Sequence, residues 1–265
     1  MKVLFVGDIV GKPGRAAVRH FVPRLREQHA LDFCVGNSEN SAGGAGITPD
    51  SADELLASGL DLLTSGNHTW SKREISPYLA REGSRQLRPA NYPEGAPGRG
   101  HALIESRHAR GLKLGVINLE GRVFMKALDC PFRAADRLVA ELAAAGARCI
   151  LVDMHCEATS EKNALGQYLD GRASAVLGTH THIQTADARV LRGGTAFMTD
   201  AGMCGPWDSV IGVRKEAAIE RFLTARHAQF ETASADVYLQ GAIVDIDEQT
   251  GRARSITRVQ ERLPE

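Results

Sequence analysis

Apolar and amphipathic stretches alternate along the first third of the chain. They predict a strand at 2–7, a helix at 13–28, a strand at 31–36, a helix at 49–58, a strand at 60–64 and a helix begun near Ser71. That is the rhythm of βαβ units. Pro13 suits a first helical turn, whereas Pro23 falls inside the same pattern and is expected to bend or end the helix.

Between about 86 and 119 the texture changes. HALIES and LKLGVINLE read as two strands joined by a basic, Gly-containing turn, with no helix between them. A helix follows at 132–145, with Leu138, Leu142 and Ala145 on one face and Gly146 as its stop. The strand CILVDMH comes next, then a helix near 160–170, the strand AVLGTH, and short strands at 188–191 and 195–199. A helix at 214–226 and final strands near 236–246 and 252–261 complete the chain. Parallel units followed by hairpin-like strands predict two mixed sheets packed face to face with helices outside, an α/β/β/α sandwich. A single doubly wound sheet is the alternative, because periodicity does not assign strands to sheets. The length of 265 residues suits one domain over 1–265.

Five of the apolar runs end in residues able to bind a metal. KVLFVGD ends at Asp8, DFCVGNSEN at Glu39 and Asn40, DLLTSGNH at Asn67 and His68, CILVDMH at His155, and AVLGTHTH at His180 and His182. Strands buried on both faces read as continuous apolar runs, and ligands of open α/β sheets gather at their carboxyl ends. The five ends are therefore expected to converge on one site.

Each end has a simpler reading when taken alone. Asp8 could cap the following helix, Glu39-Asn40 could hold a tight turn, Asn67 could adopt a left-handed turn, and His155 could be a satisfied core histidine. The simpler account must explain all five ends separately. In His180-Thr181-His182 an extended backbone would point both rings the same way. Carboxylate, amide and imidazole donors together suit Mn, Fe, Co or Zn and are poor for Ca²⁺.

Composition adds limits. Lys+Arg and Asp+Glu both number 32, so overall charge announces neither a polyanion nor a membrane partner. No run has the length of a signal core or a membrane span, and a cytoplasmic protein is expected. The five cysteines lack a CxxC pair and are expected to be reduced. Cys34 and Cys149 should pack in the core, and Cys156 could face the site. GDIVGKPGR is not a phosphate loop: only three residues separate Gly7 from Gly11, and Pro13 stands where a hydroxyl residue is needed. Gly43-Gly44-Ala45-Gly46 could line a phosphate or be a mobile loop. Arg15, Lys162 and Arg214 are candidate phosphate contacts, with solvated surface charge as the alternative, and Trp70 and Trp207 are candidates for stacking a base or for packing.

GDIVGKPGR, GNSEN, GNHTW, DMHCEATSEK, GTHTHIQTAD and TDAGMCGP together resemble the calcineurin-like metallophosphoesterases, and more closely their bacterial YmdB-type branch. The resemblance spans nearly the whole chain. It implies a di-metal centre in which Asp8, Asn40 and His182 hold one ion, Asn67, His155 and His180 the other, and Glu39 bridges them. His68 would act beside the ions, protonating the leaving oxygen or stabilising the transition state. Two Fe or Mn ions are expected, with Zn or Co as alternatives.

The chain departs from the wider superfamily at three places. Val10 replaces a histidine of D-x-H, Glu39 replaces the bridging aspartate, and Thr69 replaces an acidic residue after GNH. The implied activity is phosphodiester hydrolysis of cyclic nucleotides, 2′,3′- or 3′,5′-cyclic, by attack of a metal-bridged hydroxide on phosphorus. A phosphomonoesterase is the nearest rival, and a regulatory protein that binds a nucleotide with little turnover is the rival of another class. The expected partner is a small phosphoester. No polynucleotide patch is evident, and homo-oligomerisation through loop 120–132 or the C-terminal strands stays open.

Overall fold

The computed structural model describes residues 1–109 and 111–264. Among the described residues the strands are β1 (Lys2–Val6), β2 (Asp8–Ile9), β3 (Phe33–Asn37), β4 (Leu62–Thr64), β5 (His101–Glu105), β6 (Lys113–Glu120), β7 (Cys149–His155), β8 (Ala175–Thr179), β9 (Arg189–Val190), β10 (Ala196–Met198), β11 (Met203–Pro206), β12 (Val237–Ile246) and β13 (Ala253–Arg262). The helices are α1 (Gly11–His29), α2 (Pro49–Ala57), α3 (Ile75–Leu79), α4 (Pro131–Ala144), α5 (Thr159–Tyr168) and α6 (Lys215–Thr224).

The strands form two mixed sheets. The first runs β2-β11-β12-β1-β3-β4, with β13 also paired to β12; the second runs β5-β6-β7-β8-β10-β9. In the first, β1, β3 and β4 are parallel and β12 is antiparallel to β1. In the second, β6, β7, β8 and β10 are parallel, and β5 and β9 close the edges antiparallel.

Side-chain alternation along β1 shows why its run is continuously apolar. Val3 and Phe5 enter the core shared with Leu114, Val116, Leu151 and Leu177 of the second sheet, while Leu4 and Val6 pack against Val18, Val22 and Leu25 of α1. On the far side, α4 and α5 cover Ile117, Val152 and Val176. The layering is α/β/β/α, as expected. Phe5 is fully buried between the sheets, and trimming such a ring to alanine costs about 3–5 kcal/mol.

The local differences have physical reasons. Helix α1 continues through Pro23 to His29; Pro23 faces solvent, where water can take the carbonyl it leaves unpaired. Ala145 is exposed at the end of α4, and Ala147 is buried in the core beyond it. The helix expected from Ser71 starts only at Ile75. Strands β2 and β11 were not expected: two and four residues long, they are defined by pairing, β2 with β11 and β11 with β2 and β12. Among the described residues no helix is long and apolar enough to cross a membrane.

Candidate metal centre

The seven candidate donors meet at the carboxyl ends of β1, β3, β4, β7 and β8, between the two sheets. The His182 Nε2 atom lies 3.2 Å from the Asn40 amide and 3.8 Å from Asp8 Oδ1. His155 Nε2 lies 2.9 Å from Asn67 Oδ1 and 3.2 Å from Glu39 Oε2. Glu39 touches both groups, because its Oε1 accepts from the Asn40 amide at 3.0 Å. The rings of His155 and His180 stand 4.8 Å apart between centroids, and donor atoms of Glu39, His155 and His180 lie within 4.8 Å of one another.

The distances among His155, Asn67 and Glu39 fit a shared ion, whereas Asn40 faces His182 and Glu39 with its amide nitrogen and would ligate through its oxygen once the amide is turned over. Two donors, each at a bond length of about 2.0–2.2 Å, stand roughly 3–4 Å apart across one zinc-sized ion. Asp8 Oδ1 is buried without a hydrogen-bond partner, although Oδ2 accepts from the His180 N–H at 2.9 Å. An orphaned carboxylate oxygen in a dry site is costly unless a cation or donor meets it. The donor set and the orphan together fit a divalent transition metal.

Charge in the cluster is set by burial and by mutual pairing. Burial drives the Asp8 carboxyl upward against the opposing pull of His182 and His155. Burial also works against the Glu39 carboxylate, but the charge and hydrogen bond of His155 outweigh it and hold Glu39 down at about 2. His155 is correspondingly pushed up to about 9: burial opposes its charge, and Glu39, Asp8 and Asp153 overcome that opposition. Burial and the neighbouring His155 lower His180 to about 3. A ligating imidazole must be neutral, so metal binding would exchange the His155 proton for the cation.

Outer partners fix the rings. The His155 Nδ1–H donates to Thr179 Oγ1 at 2.9 Å, and that hydroxyl donates to Asp153 Oδ1 at 2.7 Å, which leaves Nε2 facing Glu39 and Asn67. The His182 Nδ1–H donates to the Ile211 carbonyl at 2.8 Å. Gly66 makes room for His155, since a Cβ there would stand 2.1 Å from the ring.

The segment carrying His180 and His182 is not extended. Both residues take positive φ, 95° and 63°, so their rings are aimed by two left-handed turns rather than by strand alternation. What holds those turns is buried. Lys162 Nζ donates to Asp200 Oδ2 at 2.9 Å and to Thr181 Oγ1 at 3.1 Å, and Asp200 also accepts from the Thr181 N–H. Neither expectation for Lys162 holds, for it is 1% exposed and pairs with carboxylate.

His68 lies at the rim. Its N–H donates to Glu39 Oε2 at 3.1 Å, and its Nδ1 faces Ser71 Oγ at 3.3 Å. Ser71 thus stands where an acidic partner was missing; Thr69 instead turns inward to the Gly66 carbonyl. Helix α1 is capped at Val10 without a side-chain bond, which sets aside the capping reading of Asp8. Asn67 is not left-handed. Cys156 is buried, its thiol raised to about 12 by burial and by Glu161, so it has no role as a nucleophile.

Other candidates are occupied elsewhere. Arg15 binds Glu54 and the Ser41 carbonyl, and Arg214 pairs with Glu231. Trp70 and Trp207 pack edgewise or tilted on Tyr92 and Tyr238. One buried carboxyl was missed: Glu120 ends β6 opposite His155, with Oε2 held by the Tyr92 hydroxyl at 2.9 Å and Oε1 unpartnered. The rule that found the other ends, an apolar run closed by a donor, also fits LKLGVINLE.

A cavity of about 270 Å³ opens over Glu39, Asn40, His68, His180 and His182. Another of about 720 Å³ is lined by Arg88, Tyr92, Arg133 and Arg137, but no candidate donor borders it. Arg88 is spent there on the carbonyls of Pro89, Ala96 and Pro97.

Two face-to-face mixed sheets with carboxylate, amide and imidazole donors gathered at strand ends from both define a metallophosphoesterase. A sequence model of the YmdB-like protein family matches residues 4–259, and the chain belongs to that family. It is 48% identical over 259 residues to the 2′,3′-cyclic-nucleotide 2′-phosphodiesterase of Bacillus subtilis (strain 168), covering 98% of this chain and 96% of that protein. The crystal structure of a hypothetical protein from Thermus thermophilus superposes with a TM-score of 0.92 at 42% identity, covering 100% of both chains. A novel phosphatase from Mycoplasma pneumoniae gives 0.90 at 30% identity, covering 99% of this chain and 93% of that one.

Proposed function

We propose that the protein is a phosphodiesterase of cyclic nucleotides, 2′,3′-cyclic substrates first, working with two divalent ions, Fe or Mn. The observation that carries this reading is the cluster of buried Asp8, Glu39, Asn40, His155 and His182 with half-buried Asn67 and His180, in which one Asp8 carboxylate oxygen is unsatisfied. Asp8, Asn40 and His182 would hold one ion, Asn67, His155 and His180 the other, and Glu39 both. When bound, such a pair supplies Lewis acidity at phosphate oxygens and a low-pKa water.

The chain's own groups do the rest. Two carboxylates against two divalent ions leave the site net positive, which draws a phosphodiester in. Neutral Asn40 and Asn67 preserve that charge where further carboxylates would cancel it. With His68 Nδ1 turned to Ser71, Nε2 is the atom that gives a proton to the leaving oxygen. The buried core between the sheets accords with one domain over 1–265, and five free thiols accord with a reducing cytoplasm.

The test is turnover of 2′,3′-cyclic and 3′,5′-cyclic nucleotides and of a terminal phosphate ester by Mn- or Fe-loaded protein. Cyclic substrates should be opened, and His68→Ala should keep its metal while losing about 10²–10⁴ of the rate. Release of terminal phosphate alone would make the protein a phosphomonoesterase, and tight nucleotide binding without turnover would make it a binding protein.

A further inference from the structure

The cavity above the donors has two unlike ends. One is the polar cluster; the other is a wall of Val10, Ile211, Val213 and Phe230. A phosphate held at the first end places the rest of its ester against the second. We infer that this wall is the nucleobase subsite, with the base stacked on Phe230 and read by its face; the inference rests on the cyclic-nucleotide reading above.

Three observations support it. Phe230 is a ring left 41% exposed in the same cavity as His68 and His182. Arg221 stands over that ring at 5.2 Å, which fixes it as a platform. Ile211 holds a left-handed backbone, φ 48°, unusual for a β-branched residue, while its carbonyl anchors His182 Nδ1. The strained residue that orients a donor therefore also lines the wall, so the two ends are built as one unit.

The wall also says what it does not read. Thr232 is its one hydroxyl side chain, and Oγ1 is buried without a partner, so tight against the loop that a Cβ on Gly44 would lie 2.7 Å away. Among the described residues, no side chain of the wall offers an accessible hydrogen-bonding group to a base edge. Every base has a π-face, so stacking of this kind tolerates all four. The protein should then accept purine and pyrimidine cyclic nucleotides with kcat/KM values within about tenfold of each other, since a hydrogen-bonding site would discriminate far more strongly.

The test compares Phe230→Ala and Phe230→Trp with wild type on adenosine and cytidine 2′,3′-cyclic phosphates and on a base-free methyl riboside 2′,3′-cyclic phosphate. Loss of a stacking platform predicts that F230A raises KM for both nucleotides by about 5- to 150-fold more than for the base-free ester. F230W should restore wild-type KM, with kcat moving little in either variant. Equal effects on all three substrates, or none, would overturn the subsite. So would a wild-type preference between adenine and cytosine above about 100-fold. If wild type cleaves none of the three, the catalytic reading has failed, and calorimetry with 3′-AMP decides the subsite: affinity lost in F230A supports it, and affinity unchanged overturns it.

Discussion

Replacing Lys162 with methionine would leave the shape of its side chain and remove the charge that Asp200 faces. Lys162 and Asp200 are 1% and 0% exposed, with Nζ 2.9 Å from Oδ2. Breaking a buried pair by removing one partner costs about 3–5 kcal/mol, because the other charge stays buried without its counter-ion. Asp200 keeps three donors, the Thr181 N–H at 3.1 Å, the Thr181 hydroxyl at 2.6 Å and the Gly202 N–H at 2.8 Å. The low end of the range, about 3 kcal/mol, follows. At roughly 2–4 °C per kcal/mol for a chain near this size, the metal-free protein should melt about 6–12 °C lower. Asp200→Asn should cost a similar amount by stranding the ammonium, and the double variant should lose less than the sum of the singles by about 0.5–3 kcal/mol. Urea unfolding of all four proteins gives the cycle. Because the same ammonium steadies Thr181 between His180 and His182, elemental analysis of K162M should also show reduced metal. Stability within about 1 kcal/mol of wild type, with metal content unchanged, would refute the reasoning.

Gly66→Ala places a methyl 2.1 Å from the His155 ring, so it should lower metal content and turnover together while circular dichroism shows the fold retained. Burial pushes the thiols of Cys34 and Cys149 up to about 12 and about 11, and Cys156 to about 12. A raised thiol pKa means little thiolate below it, so these three should resist alkylation in native protein from about pH 7 to pH 9. Mass spectrometry should find half-exposed Cys130 labelled first, and all five labelled after denaturation.

Much of this site was legible in the chain because burial on both faces writes a strand as an unbroken apolar run. β1, β3, β7 and β8 are all of that kind, and their donors lie within a few positions of the strand ends. Pattern fails where conformation depends on distant partners. Strands β2 and β11 are too short for a period and exist through their partners, β2 through β11 and β11 through β2 and β12. The rings of His180 and His182 are aimed by left-handed turns held by Lys162 and Asp200, a contact between residues 38 apart. Phe230 sits in ARHAQFETASAD, a stretch without helical or strand period, so nothing local distinguished it from loop.

The central claim is that these strand ends make one metal centre, and anomalous scattering from crystals grown with manganese addresses it directly. The account predicts two strong peaks, one among Asp8, Asn40 and His182 and one among Asn67, His155 and His180, with Glu39 touching both and the first peak lost in Asp8→Asn. No peak at these residues, or peaks bound elsewhere on the chain, would contradict it.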